Sequence, residues 1–200
     1  NAFEEAEYIA GDISKKVREH EGEYKDFAIL YRTNAQSRMF EEKFLMANIP
    51  YKLVGGVNFY ARKEIKDLLA YLKTVDNARD DLAVRRIINV PKRGIGAATL
   101  AKVQDFASQR GISFYDALRE PDCMSLIGRA AAKTESFVTF IQSLRSKADY
   151  LSPAQLLSDI IENTGYVEEL KAEGTEEAEA RIENIDELIT KVVSYEEENE

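Results

Sequence analysis

Two stretches of the chain bring cations, neutral donors and small residues together at spacings that suit a phosphate group. The first is Arg32-Thr33-Asn34-Ala35-Gln36-Ser37-Arg38, which follows the apolar run Phe27-Ala28-Ile29-Leu30-Tyr31 and opens a helix. In an open α/β sheet, ligands collect beyond the carboxyl ends of strands. A helix that starts there offers unpaired N–H groups and a partial positive charge. Arg32 and Arg38 add charge, and Asn34, Gln36 and Ser37 add donors for phosphate, sugar or base edges. The same residues also describe an ordinary polar turn with Ser37 as cap, and spacing alone favours that reading. The second stretch is Asn89-Val90-Pro91-Lys92-Arg93-Gly94-Ile95-Gly96-Ala97-Ala98-Thr99. Pro91 keeps Val90 extended. Gly94 and Gly96 permit positive φ and put no side chain in the way of close approach, while Ile95 between them can plug inward. A helix beginning near Ala97 aims its N–H groups at whatever fills the turn, with Lys92, Arg93 and Thr99 beside it. Contacts of this kind read a nucleic-acid backbone without reading its sequence. A tight turn between helices that simply needs two glycines fits the pattern equally well.

Other chemistry finds little support. Gly55-Gly56 lacks the spacing and the Lys-Ser/Thr ending of a P-loop, so Gly55 to Asp67 reads as a connector, an aromatic anchor and a helix, with a hinge in prospect. His20 is the only histidine and Cys123 the only cysteine. The pair cannot build a metal cluster, a disulfide or a nucleophilic triad. No two carboxylates stand in an apolar setting, so the acidic pairs near the C-terminus read as a solvated helix face. No catalytic, cofactor-binding or metal-binding residue is expected within the chain.

The elements that must position these stretches follow from hydrophobic period. Residues 3–20 read as an amphipathic helix. Residues 27–31 read as a strand covered on both faces, about 37–47 as a helix capped by Ser37 and broken at Asn48-Ile49-Pro50, and Tyr51 to Val54 as a second strand. Beyond Gly56 every periodic segment is helical: the run through Ile65, Leu68, Leu69, Leu72 and Val75, a helix capped by Asp80 or Asp81 and running through Ile88, then 97–110, 113–119, about 125–150, 153–163 and 176–195. The fold class expected is an α/β fragment followed by an all-α region, mainly helical, with the boundary near Tyr60 to Lys63. Both ends read as cuts in a longer chain.

Charge sharpens the picture. The net charge is −9, which taken whole opposes nucleic acid. From Gly165 to Glu200, however, 13 acidic residues face 3 basic ones, and from Val84 to Arg110 six basic residues face Asp105 alone. The total thus describes the acidic end and leaves room for a basic surface elsewhere. The lone cysteine and the lack of a membrane-length apolar run point to a reducing, cytoplasmic setting with no membrane partner.

Taken in order, three segments resemble superfamily 1A DNA helicases of the PcrA/UvrD/Rep family. Asp26 to Arg38 resembles the family's motif IVa. Gly55 to Lys73, with Phe59-Tyr60-x-Arg62-Lys63-Glu64-Ile65-Lys66-Asp67, resembles motif IVb. Ile87 to Gly96 resembles motif IVc with its Gly-Ile-Gly loop, and Arg181 to Asn184 with Asp186-Glu187-Leu188 resembles a later helix of the same subdomain. The resemblance implies that residues 1–60 are part of the RecA-like domain 2A and that 61–200 are a helical 2B insertion, incomplete at its C-terminus. It implies single-strand contacts through Arg32, Asn34, Gln36, Ser37 and Arg38, and duplex-backbone contacts through Lys92, Arg93, Gly94, Ile95, Gly96 and Thr99. It places a hinge at Tyr60, Ala61, Arg62 and Lys63. The parent would be an ATP-dependent 3′–5′ DNA helicase in repair or replication, using ATP and Mg²⁺ bound elsewhere, with DNA and repair or transcription proteins as partners. The fragment itself lacks the ATPase motifs. A different class of reading makes the helical region a protein-interaction module with an acidic docking surface.

Overall fold

The computed structural model describes residues 2–31, 34–54 and 59–199, with side chains throughout except at 2, 34–36 and 199. It divides into two compact units, residues 1–62 and 63–200.

In the first unit, α1 (Ala2–Arg18) packs on α2 (Asn34–Met46). Ala6, Ala10 and Ile13 recur on one side of α1, and the last two meet Phe44 and Ile49, with Ile9, Val17, Phe27, Ile29, Phe40 and Tyr51 packed around them. Phe3 does not join this core. It is exposed at the outer edge, where the Lys43 ammonium sits 3.6 Å from its ring centroid. Asn48 ends α2 at φ +52, and Ile49 donates its N–H back to the Phe44 carbonyl at 2.8 Å, the short polar side chain tolerating the left-handed turn that most residues avoid.

The second helix of the pair, α2, begins at Asn34, three residues before Ser37, its expected cap. Ser37 lies inside the helix, buried, donating to Glu41 Oε1 at 3.2 Å. Neither expected strand forms a ladder among the described residues. Residues 27–31 and 51–54 run without sheet partners, and Leu30 and Val54 are 96% and 82% exposed. The expectation that 27–31 is covered on both faces does not hold here: an apolar run becomes a strand only when a neighbour takes its N–H and C=O groups, and these two segments do not pair. They flank an apolar groove of about 800 Å³ lined by Phe27, Ile29, Tyr31, Phe40 and Tyr51.

The second unit is all helical among its described residues. Its axis is α3 (Lys63–Asp76), which contacts α4 (Asp81–Ile87), α8 (Ala131–Lys147), α9 (Pro153–Thr164) and α11 (Glu176–Asn199). Ile65, Leu68 and Tyr71 of α3 are fully buried. Between α4 and α8 come α5 (Ala97–Arg110), α6 (Phe114–Ala117) and α7 (Pro121–Ile127), and α10 (Tyr166–Glu173) precedes α11. Two segments depart from the periodicity reading. The single helix expected over about 125–150 is split, because Gly128 at φ +56 closes α7 before a short 3-10 turn leads into α8. α10 was not anticipated: it is eight residues between Gly165 and Gly174, both left-handed, and only Tyr166 and Leu170 carry its buried face.

Polar groups tie this bundle internally. Glu64 accepts from Asn184 Nδ2 at 2.7 Å, and Asp67 accepts from Tyr166 Oη at 2.8 Å and Arg86 Nε at 2.7 Å. The acidic end of α11 is not wholly solvated either: Glu196 accepts from the Ala154 N–H and the Ser152 hydroxyl, capping α9. No helix among the described residues is long and apolar enough to cross a membrane.

Candidate nucleic-acid interface

The loop joining α4 to α5 is built around groups that point inward. α4 ends with carbonyls that have no intrahelical donor, and Arg93 supplies one. Its Nη1 lies 2.9 Å from the Ile87 carbonyl oxygen and 3.2–3.4 Å from those of Ile88, Val90 and Pro91. Its Nη2 lies 2.6 Å from Tyr71 Oη, which itself donates to the Val90 carbonyl at 2.6 Å. The guanidinium also stands 5.4 Å from the Phe137 ring centroid. Burial pushes the Tyr71 phenol above its ordinary pKa and the Arg93 charge draws it partly back. The Val90–Pro91 peptide is cis.

Asn89 organises the turn itself. Its side-chain oxygen accepts from the N–H groups of Arg93 (2.9 Å) and Ile95 (3.2 Å). Ile95 is 2% exposed, an anchor driven into the bundle. With Arg93 and Ile95 holding the underside, Lys92, Gly94, Gly96, Ala97 and Ala98 are exposed and Thr99 is half-buried.

The two glycines differ. Gly94 sits at φ +68, and a Cβ there would approach Lys133 Nζ to 2.8 Å. Gly96 has an ordinary φ of −78 with nothing within 4 Å of a Cβ position, so only Gly94 uses the left-handed region that both were expected to permit. Gly96 is the N-cap of the 14-residue α5, and no side chain caps that end. The outcome is an exposed collar of backbone around the start of a helix, with Lys92 on one side. Lys133 donates to the Gly94 carbonyl at 3.1 Å and brings a second cation to the collar. The sequence reading missed Lys133, which lies 39 residues away along the chain. It missed the bracing role of Asn89 too, although a side-chain amide before a proline turn is a recognisable local acceptor.

The first candidate stretch is only partly described. The structure of Arg32 and the side chains of Asn34 and Gln36 lie outside the described residues. Ser37 and Arg38 are buried, with the Arg38 guanidinium 5.0 Å from the Phe59 ring centroid. At the proposed hinge, Phe59–Ala61 form a 3-10 turn. Tyr60 packs edge-on to Phe59, Arg62 lies 5.6 Å from the same ring, and Lys63 is exposed at the start of α3. Burial and the nearby Glu41 carboxylate push the Tyr60 phenol up.

The profile of the family described as the UvrD-like helicase C-terminal domain matches residues 1–200. The chain belongs to this family. It is 44% identical over its whole length to the ATP-dependent DNA helicase PcrA of Bacillus subtilis. It is 45% identical over 97% of its length to the protein of the same name from Staphylococcus aureus, and 44% over 97% to that from Staphylococcus epidermidis. It spans about a quarter of the length of these relatives, 26–27%.

In this UvrD-like C-terminal domain the collar is an exposed surface around the start of α5. It offers amides, two ammonium groups and a hydroxyl, and no reacting group. The remaining notable side chains are inert in this sense. Cys123 is fully buried, and burial pushes its thiol up, away from a thiolate. His20 is exposed at φ +61 in the turn after α1. Among the described residues no three His, Cys, Asp or Glu gather where a metal ion could bind.

Proposed function

We propose that this chain is the DNA-gripping part of an ATP-dependent 3′–5′ DNA helicase. Its residues 1–60 would contribute to a RecA-like domain that holds single strand, and residues 61–200 would form a helical insertion that holds duplex backbone. The family membership supports a helicase, and the polarity and the two-domain layout follow the PcrA/UvrD/Rep resemblance. The exposure of Leu30 and Val54 beside an apolar groove is what two sheet strands look like without their neighbours, which supports the α/β reading of the first unit.

The observation that carries the proposal is the collar: Lys92, Gly94, Gly96 and Thr99 outward, Arg93 and Ile95 inward. In this refinement Lys92, Lys133, Thr99 and the amides that open α5 meet the duplex phosphates. Arg93 and Ile95 shape the loop from below. Arg32, Asn34 and Gln36 meet the single strand, and Ser37 and Arg38 support them. Tyr60 to Lys63 are the hinge. In this reading ATP and Mg²⁺ are held mainly elsewhere in the parent, since the chain has no Gly-x-x-x-x-Gly-Lys-Ser/Thr segment. Hydrolysis belongs to other parts of the parent, which would act in the cytoplasm in repair or replication alongside protein partners.

The test is Gly96→Val in the full-length protein. The backbone accepts the change, since φ is −78 and the site is open, but the branched side chain would keep phosphates off the collar. Forked-duplex affinity should fall at least tenfold with the melting temperature nearly unchanged. Undiminished duplex binding would overturn the assignment.

A further inference from the structure

On another face of the helical unit, three arginines edge a pocket of about 800 Å³ between the end of α3, α6 and the last turns of α8. Arg79, Arg119 and Arg145 are all exposed around it, with Asn77, Gln142 and Ser146 between them. The one carboxylate in the lining is Asp116, whose Oδ1 is 4.0 Å from Arg119 Nη1. Three guanidiniums against one carboxylate leave a local net charge of +2 in a chain whose total is −9. Neither Arg79 nor Arg145 makes an ion pair among the described residues. Tyr115 forms part of the floor. It is 4% exposed, and the charges of Arg119 and Arg145 both reach its phenol, opposing the upward push of burial.

We propose that the pocket of Arg79, Arg119 and Arg145 is a second binding site for nucleic-acid backbone phosphates. It rests on the helicase reading above and adds a contact surface to it. The donor chemistry selects the ligand. Guanidinium forks and neutral amide and hydroxyl groups pair with phosphate oxygens in two-pronged geometry, and a ring of them follows a backbone without reading bases. A free nucleotide would need an apolar or aromatic slot for its base. The only apolar lining side chains are Ala78 and Tyr115, and both are buried. A protein partner would need an exposed apolar anchor, and the lining provides none. The site is also separate from the collar. Lys133 and Arg145 stand 12 residues apart on α8, which is about 18 Å along the axis and about 120° around it. A DNA segment here therefore lies on a different face from the duplex held at Gly94–Gly96.

The experiment compares the full-length protein with R79E/R145E and with the milder R79Q/R145Q, measuring forked-duplex affinity by anisotropy across a salt series. Losing two phosphate contacts should reduce the magnitude of the log–log salt slope by about 1.8 and the affinity at 0.1 M salt by roughly sixtyfold. The melting temperature should stay in place, because neither side chain holds another residue. Should the Glu pair misfold, the Gln pair carries the measurement. The effect should multiply with that of Gly96→Val, as for distant sites. Unchanged slope and affinity in both Arg variants, with Gly96→Val still weakening binding, would sink the pocket and leave the helicase reading intact. If Gly96→Val is silent as well, both fail together. Loss of a phosphoserine peptide's binding with DNA binding untouched would overturn the nucleic-acid assignment in favour of a protein ligand.

Discussion

Arginine behaves in opposite ways at the two basic regions of the helical unit. Arg93 sits inside a Lys-Arg-Gly-Ile-Gly segment that looks made for a polyanion, yet its guanidinium is turned under the loop and occupied by four carbonyl oxygens and Tyr71. Arg79 and Arg145 come from unremarkable helix-end sequence and stand outward around an open pocket with no ion pair among the described residues. Charge near a glycine turn thus does not settle which way a cation points. The competing demand does: unpaired carbonyls at the end of α4 need a donor, and the Arg93 guanidinium meets it.

The sharpest way to break that contrast is Arg93→Ala. It strands the carbonyl cluster and the Tyr71 hydroxyl, and should cost about 3 kcal/mol of stability by denaturant titration. Lysine at 93 should not restore it, because an ammonium cannot span the same acceptors. Near-native stability of Arg93→Ala would mean that the guanidinium is available to DNA after all. Gly94→Ala should cost about 1–2 kcal/mol through its φ of +68, whereas Gly96→Ala should stay within about 0.5 kcal/mol. Equal losses at the two glycines would remove the distinction between the shaped and the open half of the collar. Lys92→Ala should leave the melting temperature alone and lower duplex affinity roughly eightfold at 0.1 M salt, the reverse of the Arg93 pattern.

The smallest effect concerns the groups that hold the bundle rather than the ligand. Burial first, and then the Asp67 carboxylate beside it, hold the Tyr166 phenol well above its ordinary pKa of 10.0. A phenol kept neutral in the fold lends stability that is fully present below the unfolded pKa and is lost as pH rises beyond about 10. Unfolding free energy should therefore decline through that alkaline range, and Tyr166→Phe should flatten part of the decline. An unaltered alkaline slope in Tyr166→Phe would assign the loss to other groups, Tyr71 among them, since burial raises its pKa as well.

Much of the helical unit was legible in residue order. The helix expected over 97–110 is the one observed, because its apolar period ends at a glycine that caps it at φ +64. Asp80 caps α4 through Ala83 N–H, and Asn48-Ile49-Pro50 ends α2, each a local device that needs no distant partner. The inward plug at Ile95 was equally readable, since an isoleucine between two exposed glycines has one favourable place to go. The turn at 128–130 and α10 were less so. A glycine in a long polar-apolar run is compatible with either a bend or a continuous helix, and two buried side chains are too few to mark a period.

What the sequence settled by itself was the residue chemistry available, glycines, cations and neutral donors gathered at one turn, and a family likeness carried by ordered motifs. Those properties are local, fixed by residue type, backbone freedom and spacing. What only the tertiary structure decided was direction and partnership. Lys133 reaches Gly94 from 39 residues away. Arg93 faces carbonyls instead of solvent. Arg79 from the turn after α3, Arg119 from the turn after α6 and Arg145 from the last turn of α8 meet around one pocket. Each of these depends on which surfaces pack together, and packing is set by contacts between segments whose separation along the chain leaves no trace in any one of them.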